Sequence, residues 1–384
     1  MEFDFRFPTN ITFRVGSTDQ LPDVVLSHGK YAVIVVGKES ARSSGVLERI
    51  LSSLEKSDIA YSLADNIPTN PPVEQIESLA SALRRKTPDV IISLGGGSVH
   101  DTAKILALLL SHPGKTLEYA VDGERGVSAI GACVKPVVTI PTIFGTGAEI
   151  SPAALVRGNG MKRVIFSPWL FPRVSLVDPS LSLGAPRDVS LRVGIDAFVQ
   201  GLEAYWARNA SPLSDLFARA AIRHSVSGLV AISSAPAELD GRSTLAYGSL
   251  LSLLAVANSG VGAIHAISNP LSGRFDIHHG QALAMLLVHV AEKVIPARRR
   301  RSEDVRRILC DILDLPMDNM GGLPEVLSHL LSTLDLGTIP KLSSLGVRDS
   351  QLTRIADESF NSDMTTSPSE LSRDDVVAIL QRLL

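Results

Sequence analysis

The stretch Val90-Ile-Ile-Ser-Leu-Gly-Gly-Gly-Ser98 joins a short apolar run to three consecutive glycines. The apolar run predicts a strand buried on both faces, and the residues after Ser98 predict a helix. Glycines leave the backbone amides open to a phosphate, and a helix N-terminus adds partial positive charge. The stretch therefore predicts a diphosphate site, with a plain glycine turn capped by Ser98 as the alternative.

Short apolar runs and amphipathic stretches alternate on both sides of this turn. We predict strands at Tyr31–Val36, Ile59–Ala64, Val90–Leu94, Val137–Ile140 and Val174–Asp178, and helices at Ser40–Lys56 and Val73–Arg85. A hairpin is predicted from Ala153–Val156 and Lys162–Phe166, around Arg157-Gly-Asn-Gly160. This order is typical of a parallel, doubly wound, Rossmann-like α/β sheet, which binds ligands beyond the carboxyl ends of its strands.

After Pro179 the sequence shows helical periodicity almost throughout. We predict helices at Pro186–Asn209, Pro212–Ser233, Gly241–Val256, Ala263–Leu271, Gln281–Val294, Asp304–Leu313, Pro324–Leu331 and Arg373–Leu383. The change of pattern lies near Asp178–Leu183. The sequence therefore predicts an α/β nucleotide domain over residues 1–180 and an all-helical domain over residues 181–384.

Polar side chains at metal-ligand spacing lie in three segments of the helical half. Asp196 and Gln200 are four residues apart, as are His265 and Asn269, so each pair projects from one face of a helix. His279 comes from a third segment. A carboxylate, two imidazoles and an amide oxygen suit Fe²⁺ or Zn²⁺. The alternative is a set of satisfied polar residues packed between helices.

Composition narrows the class of protein. The 384 residues exceed one ordinary core, and 45% hydrophobic content with a net charge of −3 indicates a folded protein without bias toward nucleic acid or membranes. Cys133 and Cys310 lie far apart in apolar surroundings, which predicts buried free thiols of a reducing compartment. The N-terminus lacks the features of an export signal, and no apolar run reaches ~18 residues, so we expect a cytoplasmic protein. Arg298–Arg301 is interpreted as a solvated helix end.

Three motifs together resemble the iron-containing (group III) alcohol dehydrogenase family. They are Gly95-Gly-Gly-Ser98 with Asp101, Pro141-Thr142 with Gly145-Thr-Gly147 and Glu149, and the series Asp196, His265 and His279-Gly280. The resemblance extends from Phe7-Pro-Thr-Asn-Ile-Thr-Phe13, which is similar to the family's first strand, to Thr366-Ser-Pro368. It implies an architecture like that of dehydroquinate synthase.

The resemblance implies that the first domain binds NAD(P). The residues that match the family's pyrophosphate loop are Gly95, Gly96, Gly97, Ser98 and Asp101, and those that match the nicotinamide and ribose side are Thr139, Thr142 and Lys162. Gly37, followed by Lys38, stands where NAD-using members often carry an acidic residue for the adenosine ribose. Without a carboxylate to repel a 2′-phosphate, and with a cation adjacent, NADP is favoured over NAD, unless Gly37 merely eases a turn.

The resemblance also implies a metal held by one aspartate and three histidines. Asp196, His265 and His279 match three of these ligands, and Gln200 stands in place of the fourth. An amide oxygen is a poorer donor than imidazole, so the site is expected to be weaker, or to use three protein ligands and water. Asn269 replaces a histidine thought to pass protons, so a relay is expected through water or His278.

These expectations describe an NADPH-linked aldehyde reductase or alcohol dehydrogenase acting on a small aldehyde or primary alcohol. Arg274 and His278 near the metal segment add the hypothesis of an anionic aldehyde that carries a carboxylate or phosphonate. A homodimer is expected, since the alternating run Phe3–Phe7 is compatible with strand pairing across an interface or with an edge strand in one chain.

Two other functions remain compatible with the residues. The first is a dehydroquinate synthase-like lyase, against which the apolar residues Ile143, Phe144 and Phe198 count, because such a lyase needs a polar, cation-rich pocket. The second is a metal-depleted descendant that only binds a nucleotide, with Gln200 and Asn269 as marks of that loss.

Overall fold

The chain consists of two compact units, each with its own core. The computed structural model describes residues 3–158, 160–318, 320–337 and 340–384. One unit is Pro8–Ala185, and the other is Pro186–Leu384 together with the N-terminal segment that ends at Phe7.

The first unit is built on a parallel sheet. Its six strands are β1 (Asn10–Phe13), β2 (Tyr31–Gly37), β3 (Ala60–Ile67), β4 (Val90–Gly95), β5 (Val137–Pro141) and β8 (Val174–Val177), and a separate antiparallel hairpin contains β6 (Ala153–Gly158) and β7 (Met161–Phe166). The sheet order is β1-β8-β5-β4-β2-β3, with every pair parallel. β4 lies in the interior of the sheet and is buried along its whole length, as its apolar run predicts.

Helices cover both faces of this sheet. They are α1 (Leu21–Leu26), α2 (Ser40–Ser43), α3 (Val46–Lys56), α4 (Val73–Leu83) and α5 (Gly97–Ser111). The single helix predicted at Ser40–Lys56 is divided, because Gly45 takes a left-handed φ of 70° between α2 and α3. Buried apolar side chains form one core on each face, which is why the strands read as continuous apolar runs.

The second unit is all-helical. Its helices are α6 (Arg187–Trp206), α7 (Pro212–Ser234), α8 (Leu239–Ser259), α9 (Ala263–Phe275), α10 (His279–Val294), α11 (Arg299–Ile312), α12 (Leu323–Thr333), α13 (Leu352–Glu358), α14 (Ser362–Thr365) and α15 (Arg373–Leu383). α7 and α8 approach closely at Gly228, where a Cβ would lie 2.5 Å from the Leu245 amide nitrogen. Glycine therefore permits backbone-to-backbone packing here.

Among the described residues, no single helix is long and apolar enough to cross a membrane. α8 and α9 meet that criterion only as a pair, and the chain bends by 104° between them.

Several local predictions need correction. The run Phe3–Phe7 forms no edge strand within this chain, and Phe5 instead stacks on Phe217 of α7 at a centroid distance of 5.6 Å. Strand pairing across a subunit interface stays a prediction. Cys133 is exposed, whereas Cys310 is buried and both are free, as predicted. The predicted hairpin forms, but Asn159 at its turn lies outside the described residues.

The interpretation of Arg298–Arg301 as a solvated helix end is only half correct. Arg299 and Arg300 are exposed. Arg301, in contrast, donates to both carboxylate oxygens of Asp215, and Arg298 donates to the carbonyl of Trp206. Two of the four guanidinium groups therefore hold α11 against α6 and α7.

Candidate metal and nucleotide sites

Helix α6 presents a row of buried polar side chains. Asp196, Gln200 and Glu203 are 3%, 6% and 3% exposed, and their spacing of four and then three residues places them on one face. Asp196 and Gln200 are the pair predicted from the sequence. Glu203 was not predicted, although it continues the same helical spacing and could have been found from it.

Two further helices bring histidines to Asp196. His265, in the first turn of α9, places Nε2 3.1 Å from Asp196 Oδ1. His279, at the start of α10, places Nε2 3.9 Å from Asp196 Oδ2. One ligand atom from each of the three side chains lies within 4.8 Å of the other two. The structure therefore brings together the predicted carboxylate and both predicted imidazoles.

Glu203 orients His265 through two contacts. Its Oε2 lies 2.6 Å from His265 Nδ1, and its Oε1 accepts a hydrogen bond of 2.6 Å from the Ile264 amide at the start of α9. The second contact fixes the helix end, since the first amides of a helix have no partner within it. The first contact directs Nε2 of the ring at Asp196, which is the arrangement found around metal-binding histidines.

The protonation of this cluster reflects its burial and its charges. Burial alone would lower the pKa of His265, but hydrogen bonds and charges from Asp196 and Glu203 raise that pKa to about 10. Burial would raise the pKa of Asp196, yet the His265 hydrogen bond and the charge of His279 outweigh burial and lower it. A proton on His265 thus occupies the place between ring and carboxylate where a cation would bind.

The residues present fit a divalent cation with three protein ligands. Asp196, His265 and His279 supply one oxygen and two nitrogens, which is a donor set typical of Zn²⁺ or Fe²⁺. Buried carboxylates and imidazoles at these distances are otherwise costly to hold together.

The fourth predicted ligand, Gln200, faces Asp196 with its amide nitrogen. Nε2 donates to Asp196 Oδ1 at 3.1 Å, and Oε1 accepts from Ser252 Oγ at 2.9 Å. The Ser252 hydroxyl also lies 2.8 Å from the carbonyl of Ser249. The single hydroxyl proton of Ser252 can be donated to either Gln200 Oε1 or the Ser249 carbonyl. If it is donated to Ser249, the Ser252 oxygen can accept a hydrogen bond from Gln200 Nε2, with the side-chain amide rotated by half a turn. That orientation would direct Oε1 at Asp196 and the cation.

The structure gives the contacts of the residues predicted to bind substrate or to transfer protons. Asn269 donates from Nδ2 to Asp363 Oδ2 at 3.0 Å, and Asp363 was not predicted at all. His278 is exposed, just before α10. Arg274 donates from Nε and Nη2 to the carboxylate of Glu358. The hypothesis that Arg274 receives an anionic substrate is therefore not supported, because its charge is already neutralised by an ion pair.

The glycine turn between β4 and α5 has the predicted form. Gly95 ends the strand with a φ of 157°, and a Cβ there would lie 2.8 Å from Val99. Gly96 and Gly97 are partly exposed, and the amides of Gly97 and Ser98 begin the helix. Amides in the first turn have no acceptor within the helix and can bind an anion.

Two predicted cofactor residues point into the protein. Thr139 is fully buried and donates to the carbonyl of Glu149 at 2.8 Å. Asp101 is buried and pairs with Lys104 at 3.0 Å. These two side chains stabilise the unit from inside, so a direct nucleotide contact by either is not supported. The motif marks positions along the chain and not side-chain directions, so the two assignments stay predictions.

Other predicted cofactor residues remain accessible. Thr142 and Lys162 are partly exposed, the former next to β5 and the latter on β7. Gly37 ends β2, and Lys38 follows it with an exposed side chain. These residues keep their assignments as predictions.

Comparison with known proteins agrees with this arrangement. The model of the iron-containing alcohol dehydrogenases matches residues 8–179, and the model of the C-terminal part of the Fe-containing alcohol dehydrogenase family matches residues 190–384.

Individual relatives cover nearly the same span. The chain is 30% identical to the 1,3-propanediol dehydrogenase of Citrobacter freundii over 334 residues, 86% of this chain and 84% of that one. It is 25% identical to the NAD-dependent methanol dehydrogenase of Bacillus methanolicus over 366 residues, 93% of each chain.

A solved structure shows the same fold. It is that of an archaeal halo-thermophilic alcohol dehydrogenase from a Red Sea brine pool, with a TM-score of 0.92, 26% identity and coverage of 100% of this chain and 99% of that one. The two units thus have the dehydroquinate synthase-like fold that these dehydrogenases share. The chain belongs to the iron-containing alcohol dehydrogenase family.

Proposed function

We propose that this protein is a metal-dependent oxidoreductase that transfers hydride between NADPH and a small aldehyde, acting as an aldehyde reductase or, in reverse, as an alcohol dehydrogenase. The observation that carries the proposal is the cluster of buried Asp196, buried His265 and partly exposed His279, with Glu203 behind His265. One carboxylate oxygen and two imidazole nitrogens within 4.8 Å of one another form a donor set typical of Zn²⁺ or Fe²⁺.

The roles of the site residues follow from their contacts. Asp196, His265 and His279 hold the cation, which, when bound, supplies a Lewis acid that polarises the aldehyde carbonyl. Glu203 keeps the His265 ring in place through the 2.6 Å hydrogen bond to Nδ1. Gln200 would offer its amide oxygen as a fourth ligand only with the amide turned over, since Nε2 now donates to Asp196.

The proposed substrate is a small, uncharged aldehyde or primary alcohol. The two relatives named above act, by their names, on 1,3-propanediol and on methanol, both small primary alcohols. The pairing of Arg274 with Glu358 removes the cation on which an anionic substrate would depend. An acidic aldehyde is therefore no longer part of the proposal.

The proposed cofactor is NADPH, bound at the glycine turn. The family and its NAD-dependent methanol dehydrogenase support a nicotinamide cofactor of the NAD type. The preference for the phosphorylated form rests on two residues at the end of β2. Gly37 lacks the carboxylate that would repel a 2′-phosphate, and the next residue, Lys38, is an exposed cation. A homodimer in a reducing compartment remains an expectation from the sequence.

One experiment tests the proposal. Purified protein is analysed for Fe and Zn, and NADPH and NADH consumption is followed with a panel of small aldehydes and with an acidic aldehyde. We expect about one cation per chain and turnover that chelation abolishes and Fe²⁺ or Zn²⁺ restores. Nucleotide binding without metal or turnover would instead identify a metal-depleted descendant. Bound metal without NADPH or NADH consumption on any aldehyde would instead favour the lyase, which uses its nicotinamide cofactor only transiently.

A further inference from the structure

Asn269, at the position where the resemblance implies a proton-passing histidine, is hydrogen-bonded to Asp363. Asn269 lies one helical turn after His265 on α9, so the two project from the same face. Asn269 cannot titrate, but its Nδ2 donates to Asp363 Oδ2 at 3.0 Å. An acid therefore lies behind the amide, at a place where this family's expected relay residue is missing.

Asp363 is held firmly against α9. Its backbone amide donates to Asn361 Oδ1 at 3.0 Å, and Asn361 Nδ2 donates to the carbonyl of Ala266 at 3.2 Å. Thr366, just after α14, donates to the carbonyl of Val261. Contacts made by the residues before and after Asp363 therefore fix its position relative to His265 and Asn269.

The surroundings of Asp363 favour its protonated form. Burial raises the pKa of Asp363 and the negative charge of Glu203 adds to it, while the charge of His265 on α9 and the Asn269 hydrogen bond oppose them, and the net direction is upward. Asp363 is nevertheless partly exposed. Its hydrogen bond is to Asn269 and not to a metal ligand, so one carboxyl oxygen remains to carry a proton and to exchange it with solvent.

We propose that Asp363 supplies, directly or through one water molecule, the proton that the alcohol oxygen gains during aldehyde reduction. This inference rests on the proposed function and assigns a proton donor to it. Asn269 acts as a positioning residue, because it holds Oδ2 and so orients the carboxyl group.

The step balances without further reactants. Hydride from C4 of the reduced nicotinamide forms the new C–H bond, and the π electrons of the carbonyl become a lone pair on oxygen. That oxygen forms an O–H bond as the O–H bond of the Asp363 carboxyl breaks. Solvent then returns a proton to the carboxylate, so the nicotinamide is oxidised, the aldehyde is reduced and Asp363 is regenerated.

The direction of the pH dependence follows from this role. Aldehyde reduction requires the protonated carboxyl, so its kcat decreases as pH rises through the pKa of Asp363. Alcohol oxidation requires the carboxylate, so its kcat decreases as pH falls through the same pKa. A bound cation would lower the pKa of Asp363, as the charge of His265 does, whereas burial raises it. The midpoint of the pH profile of kcat measures the resulting pKa.

The test compares Asp363→Asn with two other variants in the metal-loaded enzyme. We expect Asp363→Asn to lower kcat for reduction about 100-fold and to abolish its pH dependence, with metal content and NADPH affinity unchanged. Adding Asn269→His to that variant should restore much of kcat, with a pH profile in the histidine range. The control Asp357→Asn, in an exposed ion pair with Arg373, should keep the wild-type profile.

The possible results distinguish a failure of the Asp363 role from a failure of the proposed function. If wild-type protein binds no metal and shows no turnover, the proposed function fails. If wild-type protein turns over and Asp363→Asn keeps kcat and its pH profile within twofold, Asp363 is not the donor. Loss of the pH dependence in His278→Ala instead would assign that role to His278. Should Asp363→Asn fail to fold, Asp363→Glu replaces it, and an unshifted pH profile in that variant overturns the inference.

Discussion

Glu203 Oε2 and His265 Nδ1 lie 2.6 Å apart, although the two residues belong to helices α6 and α9. The same carboxylate accepts from the Ile264 amide, so it fixes both the ring and the helix end that carries the ring. A single side chain thus determines where His265 Nε2 points.

We predict that Glu203→Gln lowers metal affinity about 10-fold to 100-fold, because a neutral amide orients and polarises the imidazole less well. Metal titration of the apoprotein measures this effect. Glu292→Gln is the matched control and should bind metal as wild type. It removes a surface ion pair with Arg382 near the C-terminal end of α10, whereas the candidate ligand His279 lies at the N-terminal end. Equal affinity in both variants would show that Glu203 only supports the fold.

Replacement of the ligand itself should affect catalysis more than cofactor binding. We predict that His265→Ala loses its metal and at least about 100-fold in kcat, while the Kd for NADPH changes less than about twofold. Metal analysis, steady-state kinetics and fluorescence titration with NADPH measure the three quantities. His329→Ala, at an exposed position of α12, controls for a general loss of histidine. Wild-type turnover in His265→Ala would exclude the metal mechanism.

Two substitutions at one position test whether Gln200 coordinates. Gln200→His supplies an imidazole where the resemblance implies the one histidine ligand that this chain lacks. We expect metal affinity to rise by about 10-fold or more. Gln200→Ala removes the amide, and affinity should decrease only if Oε1 is a ligand. Metal titration of both variants gives the answer. No gain in Gln200→His would mean that the cation lies out of reach of this side chain.

The preference for NADPH should depend on Lys38. We predict that Lys38→Ala reduces the ratio of kcat/KM for NADPH over NADH by about 3-fold to 10-fold, because an exposed charge pair contributes roughly 1 kcal/mol. Lys30→Ala is the control, since Lys30 is also exposed but precedes the other end of β2. If both variants keep the wild-type ratio, cofactor choice is made by other residues.

Glu149 should make the first unit less stable at higher pH. It is 1% exposed, and burial raises its pKa from 4.5 to about 7. The folded state therefore binds more protons than the unfolded state between these values, and stability decreases as pH rises through that window, by roughly 3 kcal/mol in total. Glu149→Gln carries no such titration.

Chemical denaturation at pH 5 and pH 8 measures this difference. We expect Glu149→Gln to match wild type at pH 5 and to exceed its free energy of unfolding at pH 8 by roughly 2–3 kcal/mol. Glu48→Gln, on the exposed face of α3, should follow wild type at both pH values. A constant difference between Glu149→Gln and wild type across this range would show that Glu149 is already ionised in the folded protein.

The architecture could be predicted because it depends on local patterns. Apolar runs such as that of β4 and the periodic segments after Pro179 place strands and helices within a few residues of where they occur. The division of Ser40–Lys56 was missed because a glycine inside an amphipathic pattern does not by itself reveal its φ. Asp196, His265 and His279 were predicted as metal ligands from spacing and from the resemblance, and the structure places one ligand atom of each within 4.8 Å of the other two.

Sequence alone thus determined the order of elements, the glycine turn and the choice of Asp196, His265 and His279 as candidate ligands, because local patterns set the elements and the resemblance to the family marked the three residues. Tertiary structure alone decided that Glu203 meets His265, that Glu358 neutralises Arg274 and that Asp363 meets Asn269, 94 residues away. Periodicity carries no information about which distant side chains meet, since such contacts form only when separate helices pack together.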